Sequence, residues 1–228
     1  TELQRLKHLD IIEHAEGPTS WVSPIVVVPK EDEEVRLCLD SREINKAIKR
    51  ERGVIPRLDD LKKDLNGAQW FSKLDLNKGY HQLELEEDSR HITTFATHEG
   101  LYRFKRLCFG INSAAETFQT AVSSMLGGLE GVMNISDDIV VFAESLEKHD
   151  ERLKKLLDRL QEYQVTVNKS KCRFRQQSIV YFGHSFSKDG VKPTDKKIEA
   201  IKDADRPNNV SEVRSFLGMA QYLAHFIP

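Results

Sequence analysis

The stretch NISDDIVVF, Asn134 to Phe142, sets two adjacent acids, Asp137 and Asp138, between apolar runs. A further acid, Asp75, ends the apolar run of FSKLDLNKGY. If the strands that carry them are neighbours, three carboxylates converge, and like charges at close range repel and push pKa values up unless a cation neutralises them. Oxygen-only ligands suit a hard ion such as Mg2+ or Mn2+. Two such ions about 3.5–4 Å apart activate an attacking oxygen and stabilise a leaving one in phosphoryl transfer. The plain alternative is that Asp137 and Asp138 form the two-residue turn of a hairpin, where Asp is common. A second pair, Asp59-Asp60 in PRLDDLKKDLNG, acts as a control. It falls in the first turn of an expected helix, where acids favour the positive end of the dipole, and it needs no chemical role.

The elements around these acids follow from pattern. GVMNIS and IVVFAE predict two strands flanking the Asp137-Asp138 turn, and WFSKLDLNKGYHQLEL predicts a strand, an irregular segment and a second strand. SPIVVVPK and EVRLCLDS predict one hairpin, and HITTFATHEGLYRFKRL another around Glu99-Gly100. ELQRLKHLDIIEHA reads as a short helix. NSAAETFQTAVSSMLGG is helical, with Ser113 and Glu116 at capping-box spacing and Gly127-Gly128 as a stop. SLEKHDERLKKLLDRLQEYQ places Leu153, Leu156, Leu157 and Leu160 on one face. VTVNKSKCRF and IVYFGHSFSKDG are expected strands, and residues 189–228 an all-helical piece opened in part by Asn209 and Glu212. The expected class is α+β.

Composition narrows the field less than pattern does. The chain of 228 residues can bury a sizeable core. No apolar run approaches the roughly 20 residues of a membrane span, and no secretory leader is expected. Cys38, Cys108 and Cys172 are odd in number and far apart, which fits a reducing compartment and neither a disulfide framework nor a Cys-x-x-Cys metal site. The formal charge of −2 does not advertise a nucleic-acid partner. Its distribution is more informative: residues 46–57 hold five basic side chains against one acid, and residues 151–175 eight against three. Both runs are compatible with a phosphate backbone and equally with plain solvation.

The ordered set WVSPIVVVPK, VRLCLDSREIN, FSKLDLNKGYHQL, FATHEGLYRFKRLCFGINSAAETFQ, NISDDIVVFAES, NKSKCRF, YFGHSFSKDGV and FLGMAQYLAHFIP resembles the reverse transcriptase of gypsy-type LTR retrotransposons, and less closely that of retroviruses. The resemblance covers essentially the whole chain. It implies a right-hand polymerase fold: fingers over residues 1–50 and 83–111, palm over 51–82 and 112–188 with an antiparallel sheet and helices, and a partial all-α thumb over 189–228. It implies an RNA-directed, and also DNA-templated, DNA polymerase that joins a primer 3′-hydroxyl to the α-phosphate of a deoxynucleotide with two divalent ions, Mg2+ or else Mn2+. Asp75, Asp137 and Asp138 match the metal-binding catalytic acids, with Asp138 the weaker ligand. Tyr80 matches the ring that excludes the ribose 2′-hydroxyl. Arg36, assisted by Lys30, matches the triphosphate grip, and a guanidinium fork suits that task. Phe109 and Gly110 match the nucleotide pocket, and Lys169 or Lys171 a basic residue near the leaving phosphates. Phe182, Gly183 and His184 match the primer grip.

The implied partners are RNA and DNA template-primer, deoxynucleoside triphosphates, and the protease, ribonuclease H and integrase of a pol polyprotein, with a homodimer allowed and no membrane. The implied location is a cytoplasmic virus-like particle, with nuclear passage at later stages. Three positions depart from the family pattern. Ile135 and Ser136 precede the acids where Tyr-x is usual, and Ala115 and Cys108 stand where Pro is common. They motivate an alternative, a decayed or domesticated copy that binds nucleic acid or protein without catalysis. Retention of all three acids favours the enzyme.

Overall fold

The computed structural model describes residues 1–29, 35–49, 65 and 67–226. At its centre is a four-stranded antiparallel sheet with strand order β7 (Val132–Ile135), β8 (Asp138–Ala143), β4 (Trp70–Asp75) and β9 (Arg173–Gln176). Strand alternation sends neighbouring side chains to opposite faces. One face of this sheet, carrying Leu74, Ile139 and Val141, packs on helices α4 (Ala114–Leu126) and α5 (Leu146–Glu162) through Phe118, Val122, Leu156 and Leu160. The other face, carrying Phe71, Ile135 and Val140, packs on Ile179, Tyr181 and Phe186. These last residues come from a small antiparallel sheet of β10 (Ser178–Tyr181), β11 (His184–Ser187) and β12 (Gly190–Pro193).

A second lobe is built from chain that is interleaved with the first. Strands β1 (Ile12–His14), β6 (Gly100–Phe104) and β5 (Phe95–Thr97) form one antiparallel sheet, and β2 (Ile25–Pro29) pairs with β3 (Val35–Leu39) as a hairpin. Helix α1 (Glu2–His8) and the short α2 (Ile44–Ala47) close its core, in which Leu3, Leu6, Ile44, Phe95, Tyr102 and Phe104 are all buried. A one-turn helix α3 (Glu87–Arg90) leads into β5. Two further helices, α6 (Asp195–Lys202) and α7 (Val210–Leu223), follow, and a 3-10 turn, Ala224–Phe226, ends the described chain. Among the described residues no helix is long and apolar enough to cross a membrane.

Several expectations are corrected. The hairpin turn comprises Ser136 and Asp137, because Ile135 pairs with Asp138; the acids are offset by one residue from the predicted two-acid turn. Ser136 takes the positive φ of 55° that the tight turn demands. The region predicted as a second strand after Asp75 is instead a 3-10 turn, Gly79–Gln82, followed by an isolated bridge between Glu84 and Arg106. The first predicted helix stops at His8, after which Asp10 at φ 55° redirects the chain into β1. Ser113 precedes α4 without a side-chain cap, whereas Asn209 does cap α7 by accepting the Glu212 N–H at 3.0 Å. Residues 189–228 open with a strand, β12, so they are not wholly helical. Lys30, Asp59 and Asp60 lie outside the described residues, and the control pair is therefore untested.

Candidate active site

Asp75 is the last residue of β4, and it sits in register opposite Asp138, the first of β8. Directly opposed residues of an antiparallel pair share a face and stand within about 5.5 Å at Cβ. Asp137 occupies the adjoining turn, and its carbonyl accepts the Leu76 N–H at 2.8 Å, which ties the two strand ends together. The Asp75 carbonyl in turn accepts the Asn168 N–H at 2.8 Å, bringing the segment before β9 to the same place. Asp75, more than sixty residues before Asp137 and Asp138 in sequence, is thereby brought to the same end of one sheet.

The hairpin turn is held from beneath by α4. Buried Gln119 accepts the Ser136 N–H at 2.7 Å through Oε1 and donates from Nε2 to the Asn134 carbonyl at 3.2 Å. Ser123 donates to Asn134 Oδ1 at 3.0 Å, and Asn134 Nδ2 donates to the Ser136 carbonyl at 3.3 Å. A buried amide side chain satisfied on both ends fixes the backbone it touches. β4 is fixed from the side. Fully buried Ser72 lies 2.9 Å from His149 Nε2 and accepts the Arg175 N–H at 3.1 Å, while Asp150 receives a two-pronged contact from the Arg175 guanidinium at 2.9–3.0 Å. That bond to Ser72 accompanies the irregular β4–β9 register and the positive φ of 51° at Arg175.

A cleft of about 820 Å3 lies between the two lobes. Asp75, Ser136 and Asp137 line one wall, with Tyr80 and Lys171 beside them, and Arg36, Leu37 and Phe109 line the other. The Tyr80 ring packs 4.9 Å from Phe109 and 5.3 Å from Phe118, and the Arg36 guanidinium lies 4.5 Å from the Phe109 ring centre. Burial raises the Tyr80 pKa, and the charge of Asp137 adds to the rise. Gly79 brings the chain past Asp137: a Cβ there would stand 3.6 Å from Asp137 Oδ2. Gly110 is forced to be glycine, because its φ is +113° and a Cβ would overlap the Leu39 carbonyl oxygen. It shapes the pocket through backbone and does not line the cleft itself.

Among the two lysines considered for the leaving-group side, Lys171 lines the cleft and stands 3.6 Å from Asp75 Oδ2, whereas Lys169 is exposed and does not line it. Phe182 and Gly183 form the two-residue β10–β11 turn, both at positive φ as a type I′ turn requires. Phe182 is half-exposed at its tip, and His184 behind it is buried, with Nδ1 3.1 Å from the Phe182 carbonyl. This turn is set on the face of the sheet that carries Asp75 and Asp138, joined to it by Tyr181, whose hydroxyl donates to the Asp138 carbonyl at 3.1 Å. Cys108, in a proline position of the family pattern, is fully buried in the second lobe, and burial pushes its thiol up to about 12.

The donor set fits hard divalent cations, being three carboxylates and no sulfur or imidazole. Burial raises the Asp75 pKa most; Lys171 opposes the rise, and the charges of Asp137 and Asp138 add to it. The acids thus act on one another in the sense that a bound cation relieves. They do not yet form a closed ligand group: among the described residues no three His, Cys, Asp or Glu side chains stand close enough to hold a metal ion as placed. Two of the acids are instead engaged by lysines, Asp138 Oδ2 at 2.8 Å from Lys73 Nζ and Asp75 Oδ2 at 3.6 Å from Lys171 Nζ.

Lys73, Gln119 and Tyr181 escaped the sequence reading. Lys73 had a signal, a charge two residues before Asp75 in an apolar strand. Gln119 and Tyr181 had none, since both act through contacts across the fold.

Residues 28–186 match the family described as reverse transcriptase (RNA-dependent DNA polymerase). The retrovirus-related Pol polyprotein from transposon 412 of Drosophila melanogaster is 34% identical over 218 residues, 92% of this chain and 18% of that protein. The corresponding polyprotein from transposon gypsy is 34% identical over 234 residues, 99% of this chain and 22% of that protein. The chain thus spans about a fifth of the length of these relatives. A foamy viral protease-reverse transcriptase, solved in complex with double-stranded DNA, superposes with a TM-score of 0.88 at 24% identity, over 98% of this chain and 39% of that one, and so shares its fold. The chain belongs to the reverse transcriptase family of nucleotidyltransferases, in the branch of gypsy-type retrotransposon polyproteins.

Proposed function

We propose that this domain adds deoxynucleotides to a primer 3′ end on RNA and DNA templates, as the polymerase unit of a retrotransposon polyprotein. One observation carries the proposal: Asp75 and Asp138 are register partners beside the Asp137 turn, and Asp75 and Asp137 open on a cleft that also holds Arg36, Tyr80 and Phe109. A purely structural domain has no use for that combination. In this reading residues 1–50 and 83–111 are the fingers, 51–82 and 112–188 the palm, and 189–228 the thumb. Duplex template-primer, deoxynucleoside triphosphates and neighbouring polyprotein domains are the partners.

Asp75 and Asp137 would hold two divalent ions most directly, with Asp138 behind them. When bound, Mg2+ or Mn2+ lowers the pKa of a coordinated hydroxyl and balances charge on phosphate oxygens. Arg36 neutralises and orients the triphosphate from the opposite wall. Lys171 Nζ holds a proton at the side of the cleft where pyrophosphate departs. Tyr80, wedged between Phe109 and Phe118, cannot retreat from an extra hydroxyl and so excludes ribose. The Phe182-Gly183 turn, with His184 as its buried anchor, positions the primer terminus. Little covalent chemistry falls to the protein, so positioning and charge dominate.

Primer extension on an RNA template with Mg2+ and deoxynucleotides tests the reading. Asp137→Asn is expected to lose about a thousandfold or more in rate, as removal of a key electrostatic group does. Tyr80→Val is expected to incorporate ribonucleotides. Equal extension by wild type and Asp137→Asn, or none by either, defeats the assignment; unchanged sugar discrimination in Tyr80→Val defeats the steric role of that ring.

A further inference from the structure

We propose that Lys73 is a positioning residue that serves as the built-in counter-ion of Asp138, holding this carboxylate back from the divalent-ion site so that Asp75 and Asp137 supply the inner ligands. The inference rests on the polymerase reading above. Lys73 precedes Asp75 by two residues on β4, so both side chains leave the same face. Asp138 is the register partner of Asp75 on that face, which makes Lys73 and Asp138 cross-strand diagonals within reach of a long side chain. The reach is used: Lys73 Nζ lies 2.8 Å from Asp138 Oδ2, with the two side chains only 26% and 22% exposed.

The pair is also walled. The Lys73 ammonium lies 5.7 Å from the centre of the buried Tyr181 ring, and the Tyr181 hydroxyl donates to the Asp138 main-chain carbonyl. Asp138 is thereby held by side chain and backbone on one side, while Asp75 and Asp137 face the cleft and Asp138 does not line it. Lys73 itself starts from a rigid base, because its neighbours Ser72 and Leu74 are fully buried. A flexible surface lysine loses side-chain freedom in such a pair for little gain; here strand, ring and partner restrict the ammonium in advance. Two consequences follow. Without a divalent ion, the ammonium offsets repulsion among the three acids. With one, it competes for Asp138, so the chain trades cation affinity for a site that stays folded when empty.

The test compares wild type, Lys73→Met, Lys73→Arg, Asp138→Asn and the Lys73→Met, Asp138→Asn double variant by thermal denaturation across Mg2+ concentrations, with primer extension titrated in Mg2+ on the same proteins. Lys73→Met is expected to melt lower than wild type without Mg2+ and to gain more on its addition, its half-saturating Mg2+ falling about three- to tenfold. Lys73→Arg keeps the wild-type response, and Lys73→Met added to Asp138→Asn changes the half-saturating Mg2+ by less than about threefold relative to Asp138→Asn alone, because the partner it would release is already gone. A Lys73→Met protein whose melting temperature falls equally with and without Mg2+, at unchanged half-saturation, overturns the counter-ion role. So does loss of the Mg2+ response in Asp138→Asn, which would make that residue an inner ligand. A wild-type protein with no Mg2+ response removes the polymerase reading and this inference together, whereas a normal wild-type response matched by Lys73→Met removes the inference alone.

Discussion

At Asp75 the carboxyl group is partly withdrawn from water and faces two further acids, and its pKa is raised, by burial first and by Asp137 and Asp138 in addition. A carboxyl whose folded pKa exceeds its unfolded one binds its proton more tightly in the folded state. Its stabilising contribution is present below the ordinary carboxylate pKa and is lost as pH rises through the folded value. Above that window the ionised Asp75 works against folding. Asp75→Asn should raise the melting temperature of the metal-free protein at pH 7 and lose that advantage below about pH 4. Melting curves of both proteins in a chelator across this range check it; an unchanged or lower melting temperature at pH 7 contradicts the cost assigned to Asp75. The same substitution removes an expected metal ligand, so stability would be gained where activity is lost.

The β7–β8 hairpin shows what an element adds to its residues. Its tip is clamped by Gln119 from α4 and by Tyr181 from β10, so the acids are presented by a turn that has contacts on both faces of the sheet. Ile135, where the family pattern has Tyr, is buried in the cluster of Phe71, Val140, Ile179, Tyr181 and Phe186. The space beside it is filled by that cluster, and an aromatic ring would overpack it. Ile135→Tyr should therefore cost about 1–3 kcal/mol of folding stability without restoring anything. Denaturant unfolding with an unchanged slope measures it, and a stabilised variant would mean that the pocket for the ring is intact.

For the whole molecule, the cleft between two lobes interleaved along the chain is the property that matters. Arg36 on one wall and Lys171 beside the acids on the other fit a charged backbone whose sequence is not read. Affinity for a short duplex should fall steeply and log-linearly with salt, and duplexes of equal length and different sequence should bind within about threefold of each other. Fluorescence anisotropy at a series of salt concentrations tests this. A flat salt response, or strong preference for one sequence, would indicate a different mode of recognition.

The sequence by itself determined the family and most of the strand and helix types, and it singled out the three acids as candidates, because period-two and period-3.6 patterns and the order of motifs are properties of the chain alone. It placed the Asp137-Asp138 turn one residue off, since apolar flanks do not show which residue of a short loop pairs first. It read the region after Asp75 as a strand, where a 3-10 turn brings Tyr80 to the cleft. Only the tertiary structure put Lys171 and not Lys169 on the cleft, buried His184 beneath its turn, and set Lys73 against Asp138. Those outcomes depend on which strands become neighbours and in what register, and distances between residues remote in sequence are fixed by packing rather than by local pattern.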